Sequence, residues 1–558
     1  MKNIRDSVHG NIIVKDVFVN TILDTPAFQR LRRIEQTAIR SIYPSARHDR
    51  FIHSLGVYHI GSLIINHLQK EFEAELKRPG GDGTFYGFTR GHIKCVFNSY
   101  LVACMLHDIA HAPFSHTFES YFGSREDLFN TLNEQLNGQL TGELEELNKP
   151  NYHEYASAIV VCKEYKRDVI EGILEADMEL VCRMITGIYY EKAKKEHELH
   201  NCFISLLHGD VVDADRMDYA CRDVWASGYC TSSIDVNRIV AAIHIMKEPK
   251  TQELNVCFES KALNEISNML DVRQFQNRYV INHHSVQYEQ VVMVLAAEHA
   301  AIKEAREKYG NEFSGEEALQ RIIHVDACHS GKYISDEDLL SLMKSDVGNP
   351  YYEEYSTRKY KRFAVWKTPD EFFHFFPEIP RGKDLISEGF GEKVKKELSG
   401  MYKPDDIIIC EVKYKQPVNL KSLYVVVNGD IVRYTDIHPE LQVDLGDCEE
   451  DIGFYYLYVP KPDDPHVNLR EVRQRIVDLL KPLYMEVHPQ TNVEYQIYDF
   501  IQNALIKWYE FAFKDNPDEA EKKKNQIRNM SKKITRLDDF LNEAGISELI
   551  SKYPEERI

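Results

Sequence analysis

No two of the eleven cysteines stand at CxxC spacing, and their odd number is scattered along 558 residues. This argues against a zinc ribbon and against a disulfide framework, and fits a reducing cytoplasm. No apolar run approaches the roughly 20 residues that a bilayer requires, and Met1-Lys2-Asn3-Ile4-Arg5-Asp6 leads straight into mixed polar sequence rather than into a signal peptide. The expectation is a cytoplasmic protein with no membrane partner. Internal repeats and low-complexity tracts are also lacking. Basic residues are in deficit: 68 Lys and Arg against 88 Asp and Glu give a net charge of −20. Nucleic acid is therefore disfavoured as the main ligand, because phosphate backbones need compensating cations.

The content is otherwise that of a globular chain, 43% hydrophobic and 28% charged, long enough for roughly two to four domains. The most informative stretch is Tyr100 to His116. An apolar run through Leu106 ends in the adjacent pair His107-Asp108, followed by His111, Pro113 and His116. A helix apolar on all sides is buried, so the pair marks the end of a buried helix, where imidazole and carboxylate together suit a divalent metal. An ordinary polar pair at a helix end is the competing interpretation.

Between Arg30 and Arg50 six arginines face two acids, Glu35 and Asp49. Guanidinium matches phosphate oxygens best, although a solvated helix face would also account for such a run. Asp24 or Thr25 as N-cap with Pro26 at the first helical position predicts a helix start, with Phe28, Leu31 and Ile34 turned to a core. Asp6-Ser7-Val8-His9-Gly10-Asn11 predicts a turn into a strand or hairpin. His53 precedes an expected helix from Val57 to Leu68, whose His59 and His67 count as surface or core residues. His153-Glu154 fits a helix N-terminus. Asp213, Asp215, Asp218 and Asp223, close together behind an apolar run, repel one another unless a cation or partner groups neutralise them.

Leu23 to Gln36, Arg50 to Val57, His107 to His116 and Asp213 to Tyr219 together resemble the HD-domain deoxynucleoside triphosphate triphosphohydrolases, over roughly the first 370 residues. The resemblance implies a mainly α fold: an all-α HD-domain catalytic core with a smaller α+β C-terminal lobe and a helical tail. It implies one divalent metal, Mn, Fe, Ni, Zn or Mg, on His53, His107, Asp108 and Asp215. His153 with Glu154 matches the catalytic histidine position, His111 and His116 match histidines near the α-phosphate, and Glu119 matches a carboxylate that orients the catalytic histidine. Arg50, Arg216 and Arg278 fall at phosphate-contacting positions, with Arg216 replacing a Lys. Gln36, Tyr219 and Asp223 fall at positions that hold the sugar. Thr37 stands where an apolar residue crowds the sugar's 2′ position, and Val286 and Tyr288 are the candidates for a Tyr expected after Arg278. Asp24, Gln29 and Arg32 match residues that read an activating nucleotide between subunits, which implies a homo-oligomer, dimer or tetramer. The extreme N-terminus near Asn3 and Arg5 departs from that pattern.

The implied reaction is hydrolysis of a dNTP to deoxynucleoside and inorganic triphosphate, an activity that would serve pool balance, mutation avoidance or defence against a virus. The alternatives are an HD phosphodiesterase or nuclease and a nucleotide-sensing binding protein. The expected organisation is a catalytic domain over 1–375, an α+β regulatory or oligomerisation lobe over 376–490 and a helical tail over 491–558. His283 and His284 either face the polyphosphate or are exposed polar residues. Ser335 and Asp338 have capping-box spacing, Asn428-Gly429 signals a hairpin turn, and an amphipathic helix from Leu469 to Leu480 is expected to end before Pro482. The basic run from Lys522 to Lys533 fits a solvated helix face.

Overall fold

A computed structural model of the chain describes residues 1–141, 150–191, 194–228, 233–310, 312–329, 331–376, 389–414, 420, 423–437, 452–464 and 466–487, with Lys522 and Lys524. The tail expected over 491–558 otherwise lies outside the described residues. The described chain is mainly helical and divides into two units, Met1–Lys361 with Lys413–Asp451, and Arg362–Val412 with Ile452–Ile558. No described helix is long and apolar enough to cross a membrane.

The first unit opens with an antiparallel hairpin, β1 (Lys2–Asp6) and β2 (Gly10–Val14), whose turn uses Gly10 at φ +77°. In helix α1 (Pro26–Arg30), the Thr25 side chain accepts from the Phe28 amide and Pro26 occupies the first turn, as expected. A 3-10 turn, Leu31–Arg33, follows, and Phe28, Leu31 and Ile34 are all fully buried. Helix α2 (Arg50–Leu76) is capped by Asp49, which accepts from the Ile52 amide. That cap starts the helix earlier than the apolar periodicity suggests, so His53 lies inside its first turn instead of ahead of it. Helix α3 (Arg90–Leu106) crosses α2 closely: a Cβ on Gly61 would stand 2.8 Å from Cys104 Sγ. From Tyr100 to Leu106 every α3 residue is buried, and the helix ends at His107.

Helix α4 (Tyr152–Val160) starts with a capping box in which the Asn151 amide and the Glu154 carboxylate pair. Helix α5 (Ala214–Ser227) starts at Asp213, which accepts from the Arg216 amide. Strands β3 (Ile243–Lys247) and β4 (Leu254–Glu259) are antiparallel. They are followed by α6 (Leu263–Gln276), α7 (His284–Tyr309) and α8 (Asp336–Ser345), the last opened by the expected Ser335–Asp338 capping box. Strands β5 (Tyr424–Val427) and β6 (Asp430–Arg433) form the hairpin that Asn428-Gly429 predicts, both turn residues having positive φ. This hairpin joins the sheet of the first unit, because β5 pairs in parallel with β4 and Leu423 and Val425 are buried in the same core as Phe258.

The second unit holds a three-stranded sheet with Ile452–Pro460 between Arg362–Ala364 and Ile408–Tyr414, packed around Trp366 and Tyr455. Its helix Leu469–Val487 runs through Pro482 instead of ending before it. The buried face of Ile476, Val477 and Leu480 continues to Leu483, and that burial offsets the backbone bond that proline removes.

Arg30 shows how much of the arginine-rich segment is structural. Its fully buried guanidinium donates to the carbonyls of Ile334 at 2.5 Å, His111 at 2.6 Å and Ile109 at 3.4 Å. It thereby holds the loop after α3. Replacing it by an apolar side chain strands three buried acceptors, so Arg30→Met is expected to lower unfolding free energy by about 3 kcal/mol in a urea titration.

Candidate metal centre and active site

Three helices bring the His-Asp pair to its partners. His53 comes from the first turn of α2, His107 and Asp108 from the end of α3, and Asp215 from the first turn of α5. His53 Nε2 lies 2.9 Å from Asp215 Oδ1, 3.5 Å from Asp108 Oδ2 and 3.2 Å from His107 Nε2. His107 Nε2 lies 3.5 Å from Asp108 Oδ2 and 3.6 Å from Asp215 Oδ1. Donor atoms held about 2.0–2.2 Å from one ion stand roughly 3–3.5 Å apart, which is this spacing.

The protons of the two imidazoles are committed elsewhere. His53 Nδ1 donates to Asp218 Oδ2 at 2.7 Å and His107 Nδ1 to the Cys104 carbonyl at 3.0 Å. Both Nε2 lone pairs then face one another and two carboxylates, an arrangement that a divalent cation satisfies and a proton does not. The donor set therefore fits the implied metal. With no ion bound, burial would push the His53 imidazolium down, yet bonds to Asp215 and Asp218 raise it to about 10, so an ion taking the Nε2 position would displace that second proton. Asp108 is held low against its burial, chiefly by Arg50 and also by His107.

Asp218 is the hub behind this cluster. It is fully buried, and besides His53 it takes His9 Nε2 at 2.6 Å and Arg222 through two nitrogens at 2.8 Å each. Arg222 continues to Asp6 at 2.8 Å. Gly56 makes room for this group, since a Cβ there would fall 1.8 Å from Asp218 Oδ1.

Beside the cluster opens a cavity of about 630 Å³, a size ordinary for ligand sites. His116, His153, Glu154, Gln36, Arg50, Arg216, Tyr219 and Asp223 line it, so most of the expected substrate residues converge there. His153 Nδ1 donates to Glu119 Oε2 at 2.7 Å, and Glu119 Oε1 also takes His116 at 3.1 Å. Burial would lower the His153 imidazolium, but Glu119 raises it to about 9. Glu119 itself stays ionised against burial because both histidines face it. His111 stacks on His153 at 4.2 Å from the fully buried side, away from the cavity lining. Burial, together with the charges of Arg50 and His153, holds it well below the ordinary histidine range. Glu154 closes the cap of α4 and lies 3.9 Å from His153 Nε2.

Several expected residues sit differently. Arg278 is exposed and stacks on Tyr279, while Arg273, five residues earlier on α6, lines the cavity with Gln274. Arg50 is buried and engaged, donating to Asp108 at 2.7 Å, Ser115 at 3.0 Å and the Gln36 carbonyl at 3.1 Å. Arg40 pairs with Glu35 at 2.6 Å, and Arg32 lies over the Phe51 ring at 3.6 Å. Of the six arginines, Arg50 alone borders this cavity. Thr37 lines it with a buried hydroxyl that has no hydrogen-bond partner among the described residues. Tyr288 donates to Glu354 within the core, and Val286 is buried away from the lining. Asp24 pairs with Lys2 at 2.7 Å, and Arg32 donates to Gln29 at 2.8 Å on the surface of the first unit.

Residues 50–219 match the HD domain family model, so this stretch is an HD domain, the fold of metal-dependent phosphohydrolases. An uncharacterized protein of Methanocaldococcus jannaschii is 28% identical over 491 residues, 87% of this chain and 85% of that one. The deoxynucleoside triphosphate triphosphohydrolase SAMHD1 of Homo sapiens is 28% identical over 288 residues, which is 51% of this chain and 42% of that protein. The chain thus spans less than half the length of that hydrolase. A crystal structure of a hypothetical protein from Aquifex aeolicus shares the fold with TM-score 0.53 and 19% identity, covering 86% of this chain and all of that one.

Asp218→Asn keeps the volume but removes the charge that orients His53. It is expected to weaken metal binding by about 10–100-fold with the far-ultraviolet circular dichroism unchanged, as measured by titration of the metal-stripped protein.

Proposed function

We propose that this HD-domain chain hydrolyses deoxynucleoside triphosphates to a deoxynucleoside and inorganic triphosphate. The observation that carries this reading is one cavity bordered by His107, Asp108 and Asp215 of the proposed ligand set, by His153 and by Arg50, Arg216, Arg273, Gln36, Tyr219 and Asp223. The likeness to proteins named as dNTP triphosphohydrolases supports it.

A divalent ion on His53, His107, Asp108 and Asp215 would neutralise phosphate charge and lower the pKa of the attacking water. The remaining chemistry falls to the chain. Arg216 is anchored by the Gly209 carbonyl and by Asp213 at 3.1 Å through one nitrogen, which leaves N–H groups of its fork for phosphate oxygens. Arg273 adds a second guanidinium. Attack at the α-phosphorus breaks its bond to the 5′-oxygen of the nucleoside, which must take up a proton. His153 supplies it from Nε2, because Glu119 accepts the proton on Nδ1 and keeps the ring an imidazolium at neutral pH. His111, neutral and enclosed, acts as packing behind it.

On the sugar side, Asp223 is held by His48 at 2.7 Å, and Tyr219 stands one turn before it on α5. The buried Thr37 hydroxyl adds a polar group to the same lining. Asp24, Gln29 and Arg32 are proposed to bind an activating nucleotide in a homo-oligomer. Sizing and assay with and without added nucleotide test that role.

Incubating the protein with Mn²⁺ or Mg²⁺ and each dNTP is expected to yield deoxynucleoside and triphosphate. Deoxynucleoside monophosphate with pyrophosphate, or diphosphate with phosphate, would overturn cleavage at this bond. Asp215→Ala, or His107→Ala with Asp108→Ala, is expected to abolish turnover in a protein that remains folded. The raised histidine sets the pH dependence. The imidazolium is fully present below the ordinary value of about 6.5 and is lost as pH rises through about 9, so activity falls on that alkaline limb. Glu119→Gln removes the stabilising charge, and it should move the limb down toward about 6.5, so that roughly a quarter of the rings stay protonated at about pH 7 and kcat there falls about fourfold.

A further inference from the structure

Farther along α2, fourteen residues beyond His53 and so roughly 21 Å away along the axis, a second group of donors gathers. His67 and Glu71 lie one turn apart on α2, and His244 comes from β3. Glu71 Oε1 is 2.5 Å from His244 Nδ1 and 3.8 Å from His67 Nε2, and the three donor atoms all lie within 4.8 Å of one another. The two rings meet edge to face at 5.9 Å. Each of the three side chains is one-fifth to one-third exposed, so solutes reach it.

The other nitrogen of His244 decides how the group can be used. Its Nε2 faces Glu259 Oε1 on β4 at 3.0 Å, and Glu259 is held in turn by Lys261 at 2.6 Å. A carboxylate on each ring nitrogen requires a positive contact on each. A proton on Nε2 serves Glu259 and turns the Nδ1 lone pair toward Glu71. Orientation of a ligating imidazole by a carboxylate on its far nitrogen is the usual arrangement behind a bound transition metal. His67 Nε2 meets the Ile243 carbonyl at 2.9 Å in this structure, a contact it would exchange for the ion.

We propose that His67, Glu71 and His244 form a second metal site, which takes a divalent transition metal of the zinc type and is oriented by Glu259. Two imidazoles and one carboxylate leave a coordination position for water, and this donor set favours Zn²⁺, Co²⁺ or Ni²⁺ over Mg²⁺ or Ca²⁺. The ion would fasten the β3–β4 hairpin to α2. The site shares no residue with the catalytic cavity and does not depend on the reaction assigned to it.

The full-length protein, stripped of metal, is titrated with ZnCl₂ and its bound zinc counted after desalting. The chain is expected to hold one zinc fewer when His67→Asn and His244→Asn are combined, in the parent and in the Asp215→Ala background alike. Glu259→Gln should weaken that zinc about tenfold. In the unmutated protein, zinc should protect His67 and His244 from diethyl pyrocarbonate, read peptide by peptide, so the test does not hang on the folding of a variant. An unchanged zinc count in the double variant, or equal modification of both histidines with and without zinc, would overturn the site.

Discussion

The proposed metal site depends on a carboxylate outside its ligand set. Asp218 is sealed from water, and its two oxygens take His53, His9 and the Nε–Nη2 edge of Arg222. Burial opposes its charge, yet Arg222 and the hydrogen bonds from His53 and His9 hold it well below the ordinary carboxylate range. A buried carboxylate is tolerated only when its lone pairs are filled in this way. Its charge fixes which nitrogen of His53 carries the proton, hence which one is offered to an ion. Arg222 is in turn shared with Asp6 of β1, so the ligand geometry is set by a chain of buried charges that runs back to the N-terminal hairpin.

The cavity wall repeats the principle with histidines. His111 and His153 stack face to face, but His153 has Glu119 on its nitrogen, whereas His111 is fully buried with the positive charge of Arg50 acting on it. Identical side chains are thereby pushed in opposite directions, one toward the imidazolium and one toward the neutral ring. The arginines divide similarly. Arg30 serves backbone carbonyls, Arg40 pairs with Glu35 and Arg32 lies on Phe51, whereas Arg50 joins Asp108 at the cavity border, so much of the local positive charge stabilises the scaffold.

What was legible in the sequence was local. Thr25-Pro26, Ser335 with Asp338, and Asn428-Gly429 each satisfy backbone groups within a few residues, and each forms the expected cap or turn. The His-Asp pair at the end of an apolar run stood out for the same reason. Long-range partners left no such trace: His9 meets Asp218 across 209 residues and Arg30 meets Ile334 across 304. Arg273 could have been preferred to Arg278 only by knowing which face of α6 is turned inward. The β5–β6 hairpin pairs with β4 because of buried side chains far away in sequence, and Pro482 is passed because an apolar face continues beyond it.

The boundaries of the HD match have a consequence for what counts as a domain here. Residues 50–219 contain all four proposed ligands, yet Asp6 and His9 precede that segment and Arg222 follows it. Excised at those limits, the segment would keep Asp218 enclosed among its own helices with His53 as its one remaining partner of the three. The unit of recognisable ancestry is thus smaller than the unit of electrostatic completeness, and the latter extends to residues that no metal-ligand motif would include.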